Sequence, residues 1–226
     1  MKDKQSELGR RIPELISAIT SPSIDPETGR ETRVRDVHVG VITSSLGSNG
    51  TGACQGANPD DRARLLPRAG DPAATSGYAL DASGNPAKAS CPSGIVPGRP
   101  LSWVADAARD TSAPFVGEAG EKQLQAAASC VVDSVKEFGC GYEATWEAAY
   151  RFLADPAPTT SENASCVRSG DMINCSGVIR KGGLDTALLE QRAKFLRPDS
   201  LLAVVVLSDE NDFSLRPEGT NWEPWG

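Results

Sequence analysis

The sequence predicts an α/β fold in which helices pack on a sheet with buried strands. Apolar residues recur at helical spacing in the first twenty positions, VRDVHVGVITS at 34–44 alternates like a strand, and SLLAVVVLS at 200–208 is a continuous apolar run. Helices and half-buried strands have different apolar periods, and a short continuous run is typical of a strand buried on both faces. We therefore expect one domain over 1–226 with an α/β core.

Four helices follow from the apolar spacing. The first should run from about residue 3 to 20, with Pro13 kinking or breaking it because proline removes a backbone donor. The others are expected at 121–135, at 142–153, and before Pro198, and the second and third should cover one face of the sheet. The apolar stripe of the first helix is Leu8, Ile12, Leu15, Ile16 and Ile19. The residues on one line of the last helix are Leu184, Leu188, Gln191 and Phe195.

Three strands are expected. Residues 34–44 should form a buried strand of a parallel or mixed sheet, with His38 as a structural residue in mid-strand. A short strand near Leu101–Val104 should return the chain to that sheet, and 201–207 should be a strand buried on both faces. Two long polar insertions, 46–100 and 154–181, separate these elements.

The cysteines indicate disulfide bonds. The chain has six cysteines without a CxxC pair and a single histidine, which excludes a zinc knuckle and His-rich metal sites. Disulfides would place the protein in the periplasm, on the cell surface or outside the cell, whereas six buried thiols in a cytosolic protein are the alternative. Cys54–Cys91 would tether the first insertion, Cys130–Cys140 would lock a helix end, and Cys166–Cys175 would close a small loop, but six cysteines allow 15 pairings.

Charge and motifs exclude several classes of function. The formal net charge of −7 disfavours nucleic-acid binding, and the longest apolar run, seven residues, is too short for a transmembrane segment. The first twenty residues lack the pattern of a signal peptide. No GxSxG elbow or phosphate-binding loop is present, so we expect no enzyme.

An acidic stretch follows the last apolar run. SDENDFS at 208–214 holds three carboxylates and an amide within four residues, which are the hard oxygen donors that Mg²⁺ and Ca²⁺ prefer. Loops at the carboxyl ends of strands are where ligands bind in open α/β sheets. Asp209 and Asp212 are therefore candidate metal ligands, and the alternative is a solvated acidic turn or Asp209 capping the next segment.

Four segments together resemble a known family. The chain is similar to the von Willebrand factor type A-like domains of exported, cysteine-containing bacterial surface proteins. The similarity lies in an opening helical segment and in the segments VGVITSS, GCGYE and FLRPDSLLAVVVLSDENDFS. The similarity covers 1–20, 34–46, 120–153 and 184–214. It implies a Rossmann-like sheet flanked by helices and a divalent cation at a metal-ion-dependent adhesion site, with Asp209 as the ligand that follows the fourth strand.

The resemblance also implies parts that the sequence lacks. The DxSxS ligand motif is absent, and Met1-Lys2-Asp3-Lys4 is similar to the residues that follow it in the family. The threonine ligand has no counterpart, since Lys136-Glu137-Phe138-Gly139 stands in its place. We expect a domain truncated at both ends, which binds little or no metal by itself while a longer parent binds Mg²⁺ or Ca²⁺.

The function expected from this resemblance is binding. The parent would be a non-enzymatic adhesion domain of an exported protein, whose protein or glycan ligand supplies an acidic oxygen to the metal. A structural or scaffolding domain with a degenerate metal site is the alternative, supported by the missing threonine. A hydrolase that uses the acidic stretch and a metal ranks last.

Overall fold

The computed structural model describes residues 2–46, 61–66, 91–135, 143–160, 162–163, 166–169, 172–175, 180–212 and 214. These ranges contain helices and small mixed sheets, as expected of the α/β class, and the largest sheet among them has three strands. The chain divides into two compact units. The first unit is Met1–Val41 with Leu66–Lys136, and the second is Ile42–Leu65 with Glu137–Gly226.

The first unit packs two long helices on a mixed sheet. Its helices are α1 (Lys2–Thr20) and α2 (Gly117–Val135), and β1 (Ser23–Ile24) pairs with β2 (Glu31–Thr32) in a small antiparallel ribbon. The sheet has the order β3 (Asp36–Val39), β4 (Leu101–Val104), β5 (Phe115–Val116). Because β3 and β4 are antiparallel and β4 and β5 are parallel, the prediction of a mixed sheet is confirmed.

The core of the first unit lies between α1, α2 and the sheet. Ile16, Trp103, Phe115 and Leu124 are buried there, and burying each large apolar side chain contributes about 1.5–3 kcal/mol. The Trp103 Nε1–H donates to the Gly117 carbonyl at 2.8 Å, so the buried indole keeps a hydrogen bond.

The first helix differs from its prediction in two ways. Pro13 lies inside one uninterrupted helix, so of the predicted kink or break, the break is wrong. Pro13 has no N–H for the hydrogen bond to the preceding turn, and the packing of α1 against α2 stabilises the helix despite this loss. Tertiary contacts of an amphipathic face provide most of a helix's stability. The apolar stripe is only partly covered, since Ile12 and Ile16 are buried while Leu15 and Ile19 are exposed.

A disulfide joins Cys91 to Cys130, with 5.7 Å between their Cα atoms. It ties the end of the first insertion to α2. The expected Cys54–Cys91 and Cys130–Cys140 pairs are therefore wrong. Sequence spacing favours the shortest loops, whereas the partners of a disulfide are decided by which Cα atoms the fold brings within reach. Cys54 and Cys140 lie outside the described residues.

The described residues of the second unit form two helices and two short antiparallel ribbons. The helices are α3 (Thr145–Leu153) and α4 (Thr186–Phe195). β6 (Glu162–Asn163) pairs with β9 (Arg180–Lys181), and these strands flank a hairpin of β7 (Cys166–Ser169) and β8 (Met172–Cys175). Cys166 and Cys175 are register partners in the hairpin. Their disulfide stays a prediction.

The core of the second unit joins α3, α4 and the segment 61–65. Leu65, Phe152 and Leu188 are buried, and the Phe152 and Phe195 ring centroids are 5.6 Å apart at a tilted angle. Arg64 Nη2 donates to both carboxylate oxygens of Asp185 at 2.9 Å. Asp185 is fully buried and also accepts the Leu188 N–H, so it caps α4 while it is charge-paired.

A further expectation about the layers is wrong, whereas another stays a prediction. In the first unit α2 packs on β4 and β5, and in the second unit α3 packs against α4, so a shared sheet face for the helices expected at 121–135 and 142–153 stays a prediction. Residues 201–207 are not a buried strand. They are exposed and outside every described sheet, although a strand that is apolar on both faces is normally covered by neighbours. The strand expected at 34–44 is also shorter, since β3 ends at Val39.

Candidate functional site: the acidic turn of the second unit

The acidic turn, residues 208–214, follows the exposed apolar segment. Asp209, Glu210 and Asp212 are all exposed. The Ser208 hydroxyl donates to the Glu210 carbonyl at 3.0 Å and accepts the Glu210 N–H at 3.3 Å, which forms a tight local turn. The turn therefore presents its carboxylates on a hydrogen-bonded backbone.

Asp212 caps helix α3. Its Oδ1 accepts the Trp146 N–H at 3.0 Å and its Oδ2 accepts the Ser214 N–H at 3.3 Å, while Ser214 Oγ accepts the Glu147 N–H at 2.9 Å. The residue before the helix is Ala144, which has no side-chain acceptor of its own. Because the first N–H groups of a helix lack intrahelical partners, the acidic turn supplies two acceptors from more than sixty residues along the chain.

Asp209 and Glu210 act electrostatically on Glu143. Partial burial raises the pKa of the Glu143 carboxyl, the nearby charges of Glu210 and Asp209 raise this pKa further, and a hydrogen bond with the Ser44 side chain offsets part of the rise. The Ser44 carbonyl also accepts the Ala144 N–H at 3.0 Å. Ser44, Glu143, Asp209 and Glu210 thus belong to one surface, which we call the acidic surface.

A buried hydroxyl network lies next to Ser44 in the chain. Thr43 Oγ1 donates to Asp61 Oδ2, and the Asp61 N–H donates to the Ser45 carbonyl at 3.1 Å. Thr43, Ser45 and Asp61 are all buried. The turn that follows Asp61 has two non-glycine residues at positive φ, Arg62 and Ala63, a conformation that persists only where surrounding contacts hold it. This network fixes the backbone that carries Ser44.

The sequence identified part of this surface. It predicted a site at Asp209 and Asp212, and the alternative was a cap by Asp209 on the next segment, whereas the cap observed is that of Asp212 on α3. It missed Ser44, Glu143 and Asp61 as members of the neighbourhood. Ser44 lies in the VGVITSS segment and Glu143 ends GCGYE, so the quoted motifs contained these residues, but no spacing rule indicated that they lie close to Asp209.

The metal site implied by the resemblance is only partly matched. Among the described residues, no three Asp, Glu, His or Cys side chains are placed to hold a metal ion. Asp212 uses both of its oxygens as hydrogen-bond acceptors, whereas Asp209 lies near Glu143. The surface can attract cations or basic groups through its negative charge, but a tightly held Mg²⁺ needs further anionic or polar ligands.

Comparisons with known proteins give no assignment. No family model, no curated protein and no solved structure matches this chain. Within the described ranges, none of the helices combines the length and apolarity needed to cross a membrane.

Proposed function

We propose that this chain is a non-enzymatic binding domain of an exported protein, and that its ligand meets the acidic surface. The observation that supports this is convergence: Ser44, Asp209 and Glu210 come from two distant parts of the chain and act on the carboxyl group of Glu143, which lies in a third part. In α/β proteins, loops beyond the carboxyl ends of strands are the usual place for ligands. Asp209 follows the apolar segment 201–207, which this proposal makes a strand of the longer protein.

The charge of the surface indicates the chemistry of the ligand. The raised pKa of Glu143 means that partial burial and nearby negative charge make ionisation unfavourable there. A divalent cation or a cationic group would relieve this unfavourable charge, and carboxylate and hydroxyl oxygens are ligands suited to Mg²⁺ or Ca²⁺. We propose that Asp209 contributes one ligand, that the remaining ligands come from a DxSxS segment ahead of residue 1, and that a protein or glycan completes the coordination.

The proposal includes a Rossmann-like sheet of the von Willebrand A type in the longer protein, with 201–207 as one of its interior strands. The continuous apolar character of this segment on both faces supports that role. Export is supported by the Cys91–Cys130 disulfide, because such bonds persist in oxidising compartments and are rare in the cytosol.

A scaffolding domain with a degenerate metal site is the second candidate, and one observation favours it. Both oxygens of Asp212 are used to hold the Trp146 and Ser214 N–H groups. In this alternative the acidic turn stabilises α3 and binds no cation.

Calorimetric titration of Mg²⁺ and Ca²⁺ tests the proposal. We expect little binding by residues 1–226, and binding by a version extended at its amino end with a DxSxS segment. In the extended version, Asp209→Asn should weaken binding at least about tenfold, as the loss of a charged ligand from a site with few ligands does. Asp199→Asn is the matched control, because it removes the same charge from an exposed turn outside the acidic surface.

The outcomes separate the two candidates. Lack of binding by the extended version would favour the scaffolding domain. Tight binding by residues 1–226 that persists in Asp209→Asn would contradict the assignment of Asp209. A loss of binding in Asp212→Asn, which keeps an acceptor for the Trp146 N–H, would show that Asp212 ligates the metal in addition to capping α3.

A further inference from the structure

Helix α3 presents two aromatic side chains to solvent. Trp146 is 60% exposed and Tyr150 is 50% exposed, and they are the exposed aromatic residues of the described ranges. They are four positions apart, so they lie one above the other on the same side of the helix, which we call the aromatic face. Ala148 and Phe152, on the opposite side, are buried in the core of the second unit. Aromatic residues are enriched where proteins bind each other, so an exposed pair is a candidate contact surface.

The acidic turn lies against the first turn of α3, beside the end of the aromatic face that Trp146 forms. Asp212 Oδ1 accepts the Trp146 N–H at 3.0 Å, and Ser214 Oγ accepts the Glu147 N–H at 2.9 Å. These two bonds attach the acidic turn to the helix that carries the two rings. The aromatic face therefore adjoins the acidic turn.

The charge beside the aromatic face indicates a cationic partner. The acidic turn carries Asp209, Glu210 and Asp212, and the first two raise the pKa of the Glu143 carboxyl. Such a surface repels a further negative charge and attracts a positive one. Cations also bind over the faces of aromatic rings, because the ring quadrupole places negative potential there, and arginine does so most often. The rings and the carboxylates thus favour the same ligand group, a guanidinium.

The spacing of the two rings is suited to a polypeptide. Four positions of an α-helix correspond to about 6 Å along its axis. Alternate side chains of an extended peptide lie on one side of its backbone, about 6.6–7 Å apart. An extended segment with arginine at alternate positions can therefore bring one guanidinium to each ring.

We propose that the aromatic face of α3 and the adjoining acidic turn bind an extended, arginine-bearing segment of a partner protein. In this arrangement one guanidinium lies over Trp146 and donates to the Asp212 carboxylate, and the next lies over Tyr150. Asp212 can accept these bonds while it caps α3, because a carboxylate has about four lone-pair sites. The inference rests on the proposed binding function of the acidic surface, and it assigns the chemistry of the protein ligand.

A nuclear magnetic resonance titration of the full 226-residue chain tests the proposal, in EDTA and about 0.15 M salt. The probe is the peptide acetyl-GRGRG-amide, and the readouts are the Trp146 indole N–H and the backbone amides of α3. We expect a dissociation constant on the order of 1 mM, as for two exposed cation–π contacts with nearby carboxylates. A peptide with neutral citrulline in place of both arginines should bind at least about tenfold more weakly, because it keeps the shape and loses the charge.

Two leucine variants separate the aromatic rings from simple apolar contact. Trp146→Leu and Tyr150→Leu should each weaken peptide binding about threefold, because leucine is apolar but has no ring quadrupole. Leu184→Ala is the control, since it shortens a side chain that is 50% exposed in the same unit but outside α3, and it should leave the dissociation constant unchanged. All three native side chains are at least half exposed, so the far-UV circular dichroism of the variants should stay native.

A charge variant tests the carboxylate. Asp212→Asn keeps an acceptor for the Trp146 N–H and removes the charge, so it should weaken peptide binding about two- to fivefold. Asp199→Asn removes the same charge from an exposed turn outside the acidic surface and should leave binding unchanged. Equal effects of the two substitutions would contradict the role of Asp212.

Equal binding of the arginine and citrulline peptides would overturn the proposal, as would unchanged binding in Trp146→Leu. If neutral chitotriose shifts the Trp146 indole signal and the arginine peptide does not, a glycan covers the aromatic face and the proposal is refuted. Because the titration contains no free divalent cation, its failure is distinct from failure of the cation site. Peptide binding without Mg²⁺ binding by the extended version would refute the cation site alone, and the reverse would refute this inference alone.

Discussion

Asp212 has two candidate roles, metal ligand and helix cap, and its substitution separates them. Asp212→Ala removes the acceptor of the Trp146 N–H at the start of α3 and the second acceptor contact to Ser214. The loss of an N-cap costs about 0.5–2 kcal/mol, and removal of the negative charge near the positive end of the helix dipole is part of that cost, about 0.3–1 kcal/mol. Because Asp212 is exposed, we expect about 1 kcal/mol for alanine.

Asp212→Asn tests the physical cause. Asparagine keeps an oxygen that can accept the Trp146 N–H but loses the charge, so it should cost about half as much as alanine. Ser214→Ala removes the acceptor of the Glu147 N–H and should cost about 0.5–1 kcal/mol. Since Ser214 also donates its N–H to Asp212, the two substitutions should not be additive.

Amide hydrogen exchange measures the effect at the site itself. The exchange of the Trp146 and Glu147 amides should be about fivefold faster in Asp212→Ala, which corresponds to about 1 kcal/mol, and urea unfolding should show a loss of similar size. Asp199→Ala is the control, because it removes one exposed carboxylate that lies in another turn. Unchanged exchange at Trp146, or an equal change in the control, would refute the capping role.

Three further predictions concern stability. Replacing Cys91 and Cys130 together by serine should lower the free energy of unfolding by about 4 kcal/mol, since the bond spans 39 residues. Urea unfolding measures this loss, and an unchanged unfolding midpoint would contradict it. Gly120→Ala should destabilise the chain by about 1–3 kcal/mol in the same assay, because the added Cβ would lie 2.6 Å from the Phe115 backbone. Gly9→Ala should cost less, because its added Cβ would meet only a flexible carboxylate. Because the pKa of Glu143 is raised, the folded state loses stability as the pH rises from 4.5 through the folded pKa. Glu143→Gln should therefore be more stable than the native chain at pH 7 and equally stable near pH 4. A difference in unfolding free energy between the two chains that stays the same at every pH would exclude this.

Local patterns predicted several elements closely. The strand at Leu101–Val104 has the predicted bounds, α2 ends at the predicted Val135, and α4 ends before Pro198 as expected. Each of these signals is contained in a few neighbouring residues: an apolar run, an alanine-rich helix former, or a proline that cannot continue a helix. Such preferences act wherever the segment lies in the fold.

The residues of the candidate site were only partly predictable. The acidic turn was identified because carboxylates follow an apolar run, but the cap foreseen was Asp209 on the next segment, whereas Asp212 caps α3. Which helix the acidic turn caps was not predictable, because Trp146 precedes Asp212 by 66 residues and the local sequence of α3 does not indicate which distant residue supplies the cap acceptor. Glu143 was missed for the same reason, since its pKa depends on charges that are distant along the chain.

The sequence by itself determined the α/β class, the approximate positions of the helices, the acidic turn and the abundance of cysteine. The tertiary structure decided that Cys91 pairs with Cys130, that α1 continues through Pro13, that Asp212 caps α3, and that 201–207 lies exposed. The physical reason is the range of the interactions. Propensity and periodicity act between residues a few positions apart, whereas disulfides, caps and burial depend on which distant segments come within a few ångströms of each other.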